Sequence, residues 1–396
     1  MSLFKAKTPS VRCGAIVDIG SGSVGMAIVV SDDEAGKLDI VWSHREYILL
    51  KESTGIAELL KEINTTIMNA LLELGGGGIK ALHQFDPHLR IAYFQTSISA
   101  PWSFTITKTI SFDDDEPFEV TKELIEQLVA TAKKQVLESK EGGLIMNDLG
   151  LRIIRDGIVD IQLNGYSIDD PIGTKSRSIA LAHISALAYE KILVSIDESI
   201  EKILPRVHLE HYSFMYIFFQ VLKHLHPDTS EICLIDITNE ATEVGIVRDN
   251  ILQHVTHTPF GLYSLAREIA LACSIPKEEA YTLLKEGTDI AKSMYGKEKQ
   301  VEIDTIFTAY EEKVAELFKN TGDTLSIPKT LFIHTSKNTE DFFSKHLKNA
   351  AAKATGKSHS IHLFTSELLG SKTMEDTALA LSAHFFHTKD LYILPN

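Results

Sequence analysis

No stretch of the sequence stays apolar for the roughly 18 residues that a transmembrane helix needs. Positive charge is also short: 39 Lys and Arg stand against 54 Asp and Glu, a net charge of −15. A chain this acidic is unsuited to nonspecific nucleic-acid binding, which needs a positive surface, and to direct docking on anionic lipid. Cysteine is scarce and odd in number. Cys13, Cys233 and Cys273 lie far apart, so no disulfide framework or metal spacing is present, and a reducing environment is expected. The sixteen histidines include pairs at 224/226 and 254/257, but no CxxC or HExxH accompanies them, and they read as scattered surface or hydrogen-bonded groups. Residues 1–10 carry Lys5 and Lys7 without the apolar segment of a signal peptide. A cytoplasmic setting is therefore expected, with any membrane association made through a partner.

The 396 residues exceed one simple core and predict at least two domains. The stretch 15–30, AIVDIGSGSVGMAIVV, reads as two short apolar strands joined by a Gly/Ser turn. Asp18 sits among hydrophobics, where an acid is costly unless it meets a cation, a donor or water. Two readings of this hairpin stand side by side. It is a plain turn, or it is a phosphate loop. In the second reading Gly20, Ser21, Gly22 and Ser23 offer backbone N–H groups and hydroxyls to an anion, while Asp18 holds a hydrated Mg²⁺. Helical spacing follows at 54–74 and is predicted to stop at the four glycines 75–78, a flexible helix-to-strand linker. Strands are predicted at 89–97 and 103–112, an acidic solvated loop at 113–116, and an amphipathic helix at 121–137. The block 151–204 reads as a small βββα insertion, and 211–225 as a buried aromatic helix.

The opening pattern then returns. Residues 231–247, EICLIDITNEATEVGIV, repeat an apolar strand ending in an acid, a small polar turn and a second strand. Asp236 stands 218 residues after Asp18. A repeated strand–Asp–turn–strand unit predicts two similar α/β lobes whose turns face one another across a polyphosphate.

These residues resemble the actin/Hsp70/sugar-kinase superfamily, and within it the bacterial cell-division protein FtsA and its pilus relative PilM. Residues 17–29 are similar to the phosphate-1 motif and 234–247 to phosphate-2. Residues 256–287 resemble the FtsA segment with its Gly, its "IA" helix and its "EEA…K" helix. Residues 165–187 resemble the inserted 1C or SHS2-like subdomain, with Asp170–Gly173 and His183 on its "NPxG…L…H" pattern. The resemblance covers about residues 13–390. It implies an α/β, two-lobed actin-like ATPase fold with ribonuclease H-like lobes and a small α+β insertion. The expected divisions are 1–100 (first lobe), 101–205 (insertion with flanking elements), 206–390 (second lobe) and 391–396 (tail). It implies ATP and Mg²⁺ as cofactors. Asp18 and Asp236 would be the catalytic and metal-facing acids. Gly20–Ser23, Thr238, Asn239 and Thr242 would contact phosphates, Gly261 would approach the sugar, and Thr335 and Ser336 would lie at the adenosine.

Departures from the pattern matter as much. The second loop carries Thr238, Asn239 and Glu240 where the family has glycines, and Glu240 is expected to bring negative charge toward a bound anion. The adenosine glycines are replaced by His334-Thr335-Ser336-Lys337, and the ribose-contacting acid by Tyr281 or Thr282. Three functions are open on this sequence. The first is an actin-like nucleotide-binding scaffold, at most a weak ATPase, that assembles with itself as a polymer or with protein partners in cell division or membrane-associated machinery. The second is a non-catalytic adaptor of the PilM kind that binds the cytoplasmic segment of a membrane protein. The third, a sugar-kinase-like phosphotransferase, is disfavoured by the interaction-type insertion.

Overall fold

The computed structural model describes residues 11–49, 55–138, 150–286, 296–320, 327–336, 338–369 and 375–389. Residues 1–10 and the expected tail 391–396 lie outside these residues, and Val11 and Arg12 already belong to the first strand.

The first hairpin forms as its sequence suggests. β1 (Val11–Ile19) pairs antiparallel with β2 (Ser23–Asp32), and β2 with β3 (Lys37–Tyr47). β4 (Tyr93–Ile98) lies parallel to β1 on its other side, and β9 (His208–Ser213) lies parallel to β4, giving the order β3-β2-β1-β4-β9. The second sheet repeats this plan. β10 (Ile232–Ile237), β11 (Thr242–Arg248) and β12 (Ile251–Thr258) form the meander, and β13 (Thr330–His334) and β14 (Ser360–Leu363) add parallel strands, in the order β12-β11-β10-β13-β14. Central strands of both sheets are buried on both faces, which explains their unbroken apolar runs.

Each sheet has an outer and an inner cover. α1 (Ile56–Glu73) and α4 (Glu190–Ile203) place Ile63, Ile67, Ile192 and Ile196 on Val17, Val24 and Met26 of the first sheet. α6 (Leu262–Cys273), α8 (Lys297–Lys319) and α9 (Glu340–Thr355) cover the second sheet through Leu265, Tyr310, Val314 and Phe343. Between the sheets lie α5 (Phe214–Leu225) and α10 (Thr377–Thr388). α5 packs on Leu234 and Leu252, whereas α10 packs on Ile16, Ala27 and Val29. Phe385 of α10 meets Tyr212 edge-on at 5.0 Å. A helix held between two layers must be apolar nearly all round, and Phe214–Leu222 is buried throughout. The first sheet thus takes β9 at one edge and α10 on its inner face, both from the 206–390 stretch.

The insertion is a four-stranded sheet, β5-β8-β6-β7, built from β5 (Ser103–Glu119), β6 (Leu151–Leu163), β7 (Tyr166–Ser167) and β8 (Lys175–Tyr189). α3 (Lys122–Glu138) packs on it through Leu128 and Ala132. Trp102 and Tyr189 tie its base to the first lobe, and Phe104 on β5 meets His257 of β12 at 5.2 Å. The insertion therefore touches both lobes.

Two local expectations change. The helix does not stop at the glycines. A π turn, Leu74–Gly78, carries α1 into α2 (Ile79–Phe85), because Leu74 and Leu82 are both buried against the lobe and gain more from burial than the glycines lose in helix propensity. The acidic run 113–116 lies within the span of β5, exposed, where the pairing with β8 slips between Asp113 and Phe118.

Candidate functional site

The repeated hairpins meet at a cleft of about 270 Å³ between the lobes. The first lobe contributes Asp18, Gly20, Ser21, Gly22 and Ser23 to its walls, and the second contributes Asp236, Thr238, Asn239, Thr335 and Ser336. The structure thus brings together ten of the residues singled out from the sequence. Thr242 and Gly261 stand elsewhere. The Thr242 hydroxyl is fully buried and donates to the Phe260 carbonyl at 2.8 Å. Gly261 lies behind the second loop, where a Cβ would come within 2.4 Å of the Thr238 carbonyl oxygen.

The two loops hold each other. Ser21 Oγ donates to Thr238 Oγ1 at 2.8 Å and accepts from the Glu240 N–H at 2.8 Å. Asn239 packs so closely on Gly22 that a Cβ there would fall 1.7 Å from its Nδ2. Tyr263 reaches across to the Ile48 carbonyl at 2.9 Å. The glycine of the first loop leaves room for the opposite lobe. Glu240 also departs from expectation. Its carboxylate does not line the cleft and is held by Arg267 in a two-pronged pair at 2.8 and 2.5 Å, a strong geometry for these groups.

Both acids are engaged by protein side chains. In the register of the first sheet, Asp18 lies opposite Gly25, and Gly25 opposite Arg45. Gly25 has no side chain, and a Cβ there would sit 2.5 Å from Arg45 Nη2. The guanidinium crosses that gap to reach Asp18 Oδ2 at 2.8 Å. It also binds Asp376 at 2.6 and 2.9 Å and donates to Ser23 Oγ at 2.8 Å. Burial pushes the Asp18 carboxyl up from its ordinary value, against the pull of Arg45. Burial acts the same way on Asp376, but there Arg45 and the Leu379 N–H outweigh it and hold the carboxyl low. Asp236 is fully buried, and its Oδ1 lies 2.7 Å from His334 Nδ1. Asp236 Oδ2 finds no hydrogen-bond partner among the described residues. Beside it Glu243 is pushed well up by burial and by the neighbouring Asp236.

This donor set does not suit Mg²⁺. That ion needs near-octahedral oxygens and free carboxylates, whereas Asp18 is paired with a guanidinium and Asp236 with an imidazole. Among the described residues no group of three or more His, Cys, Asp or Glu is placed to hold a metal ion. At the mouth, α7 (Lys277–Glu286) supplies Tyr281 and Lys285, with the ammonium 4.6 Å from the ring centroid. The Thr335 and Thr339 hydroxyls bond at 3.0 Å, closing the turn after β13. Lys337 lies outside the described residues.

Arg45, Asp376 and Lys285 went unseen in the sequence. The readable signal was Gly25, a strand glycine directly opposite a buried acid, which marks space for a third side chain.

Among solved structures, the PilM–PilN type IV pilus biogenesis complex matches with a TM-score of 0.59 at 13% identity, over 94% of this chain and 98% of that one. The fold is the actin-like ATPase fold. EutJ, an ethanolamine utilization protein from Carboxydothermus hydrogenoformans, gives a TM-score of 0.45 at 11% identity over 96% and 92% of the two chains. A Bacteroides thetaiotaomicron protein with an actin-like ATPase fold gives 0.43 at 7% over 96% and 99%. No protein-family model and no curated protein matches the sequence.

Proposed function

We propose that this protein is an actin-fold scaffold that works by binding protein partners, with ATP hydrolysis absent from its role. The observation that carries this reading is the direct bond between the two phosphate-type loops, Ser21 to Thr238 and the Glu240 N–H to Ser21. Phosphoryl transfer relies on positioning and on metal-assisted charge stabilisation around the terminal phosphate. Here the hydroxyl of the first loop is bonded to the second loop instead of being left free for a phosphate. The partner side of the reading is supported by the fold shared with PilM, which is found in complex with PilN. No helix among the described residues is long and apolar enough to cross a membrane. A cytoplasmic adaptor reaching membrane-associated machinery through a protein partner fits both observations.

Tyr281, Lys285, Thr335 and Ser336 favour a second reading, nucleotide binding without hydrolysis, because a cation, a ring and hydroxyls converge at the mouth. One experiment separates the readings. Melting is followed with and without millimolar Mg-ATP while phosphate release is measured. A ligand at about one hundred times its Kd stabilises a native state by about 2.7 kcal/mol. The scaffold reading expects no shift and background phosphate release. A shift without phosphate release establishes the second reading, and a shift with sustained release overturns both.

A further inference from the structure

We propose that Arg45 is a built-in cation occupying a potential divalent-metal position between Asp18 and Asp376, and that neutralising it opens a cation site in the cleft. This deepens the scaffold reading by giving a reason for the cleft to hold together without a metal.

The argument begins with the register. Asp18, Gly25 and Arg45 form one row across β1, β2 and β3. Neighbouring strands are about 4.8 Å apart, so an arginine must lie flat over the middle strand to reach the acid two strands away. Only a middle residue without a Cβ permits this, and a Cβ at Gly25 would collide with the guanidinium. A single nitrogen, Nη2, then touches one oxygen of each carboxylate, Asp18 at 2.8 Å and Asp376 at 2.9 Å. That nitrogen marks a point from which two hard oxygen donors are reached together, and small inward shifts bring both to the 2.3–2.6 Å of Ca²⁺ ligation.

An independent observation points the same way. Asp236, also on the cleft wall and fully buried, has an unbonded Oδ2. The ionisable groups lining this space are the carboxylates of Asp18, Asp376, Asp236 and Glu375, the Arg45 guanidinium, the Lys285 ammonium and the His334 imidazole. Removing Arg45 leaves carboxylates in excess, and buried carboxylates without a cation recruit one or protonate. The remaining lining supplies hydroxyls from Ser23 and Ser99 and room for water ligands.

The test uses the full chain and contains no nucleotide, so it stands apart from the ATP experiment. Mn²⁺ binding is read by electron paramagnetic resonance, and melting is followed with Mg²⁺ or Ca²⁺ alone. The variants are Arg45→Ala and Arg45→Gln. The glutamine removes the charge while keeping a polar side chain at this position and guards against failure to fold. The variants are expected to bind one Mn²⁺ at least about tenfold more tightly than the parent, and to melt higher in Mg²⁺ or Ca²⁺. Adding Asp376→Asn to Arg45→Gln should undo the gain. Arg45→Ala that folds only when divalent cation is present also supports the proposal. It is overturned if the parent binds Mn²⁺ as tightly as Arg45→Gln, if Arg45→Gln gains nothing, or if its gain survives Asp376→Asn.

Discussion

The two lobes solve one problem in opposite ways. Each carries a buried aspartate on its first strand, Asp18 and Asp236, and each sets a row of residues across the next two strands. In the first lobe the row is Asp18–Gly25–Arg45, in the second Asp236–Glu243–His257. Gly25 and Glu243 keep the 218-residue offset of the aspartates. The empty middle position of the first row lets a cation cross from the third strand. The filled middle position of the second row blocks that path. Burial pushes Glu243 well up, which favours its protonated form, and burial also pushes His257 down, which favours the neutral imidazole. Asp236 must turn to the opposite side, to His334 on β13. One glycine therefore decides whether a lobe pairs its acid through its meander or through its parallel strand.

Breaking the first row should have the largest effect. Arg45→Ala leaves Asp18 and Asp376 buried without their partner, and removing one member of a buried ion pair typically destabilises by about 3–5 kcal/mol. Denaturant unfolding at neutral pH measures this, and a loss below about 1 kcal/mol, the range of exposed ion pairs, would mean that the row carries no structural weight. Filling the first row comes next. Gly25→Ala makes the first lobe resemble the second and forces the guanidinium aside, with an expected loss of about 1–3 kcal/mol typical of overpacking. Equal stability of Gly25→Ala/Arg45→Ala and Arg45→Ala would show that the new methyl acts only through Arg45.

The mildest change sharpens the second row and shows as a slope. Glu243 has a folded-state pKa raised well above 4.5. Its unfolded form ionises as pH rises past 4.5 while the folded form keeps the proton, so the stability present below 4.5 is lost progressively with rising pH. Glu243→Gln cannot ionise. Its melting temperature relative to the parent should climb as pH rises above 4.5. A difference independent of pH would show that Glu243 is ionised in the fold.

The repeated hairpins were legible because a buried acid at the end of an apolar strand, followed by a small polar turn, has few alternatives, and two copies reinforce one another. The insertion was legible from its place between them. Arg45 was not, because a contact across two strands depends on register, and register is a property of the folded sheet. Asp376 was further from view, 331 residues beyond the arginine that grips it. Glu240 misled for a related reason. The sequence places it in the second loop, but the direction of its side chain is set by Arg267 on a later helix.

The position of α10 bears on how the protein is made. Ile16, Ala27 and Val29 leave the ribosome well before the helix that covers them, which spans Thr377–Thr388. The Arg12 guanidinium, at the start of the same sheet, donates to the His387 carbonyl 375 residues later. During synthesis the first sheet must wait with one greasy face bare, the condition in which nascent chains attract chaperones or one another. A fragment ending after β9 would keep all five strands and still lack its lid.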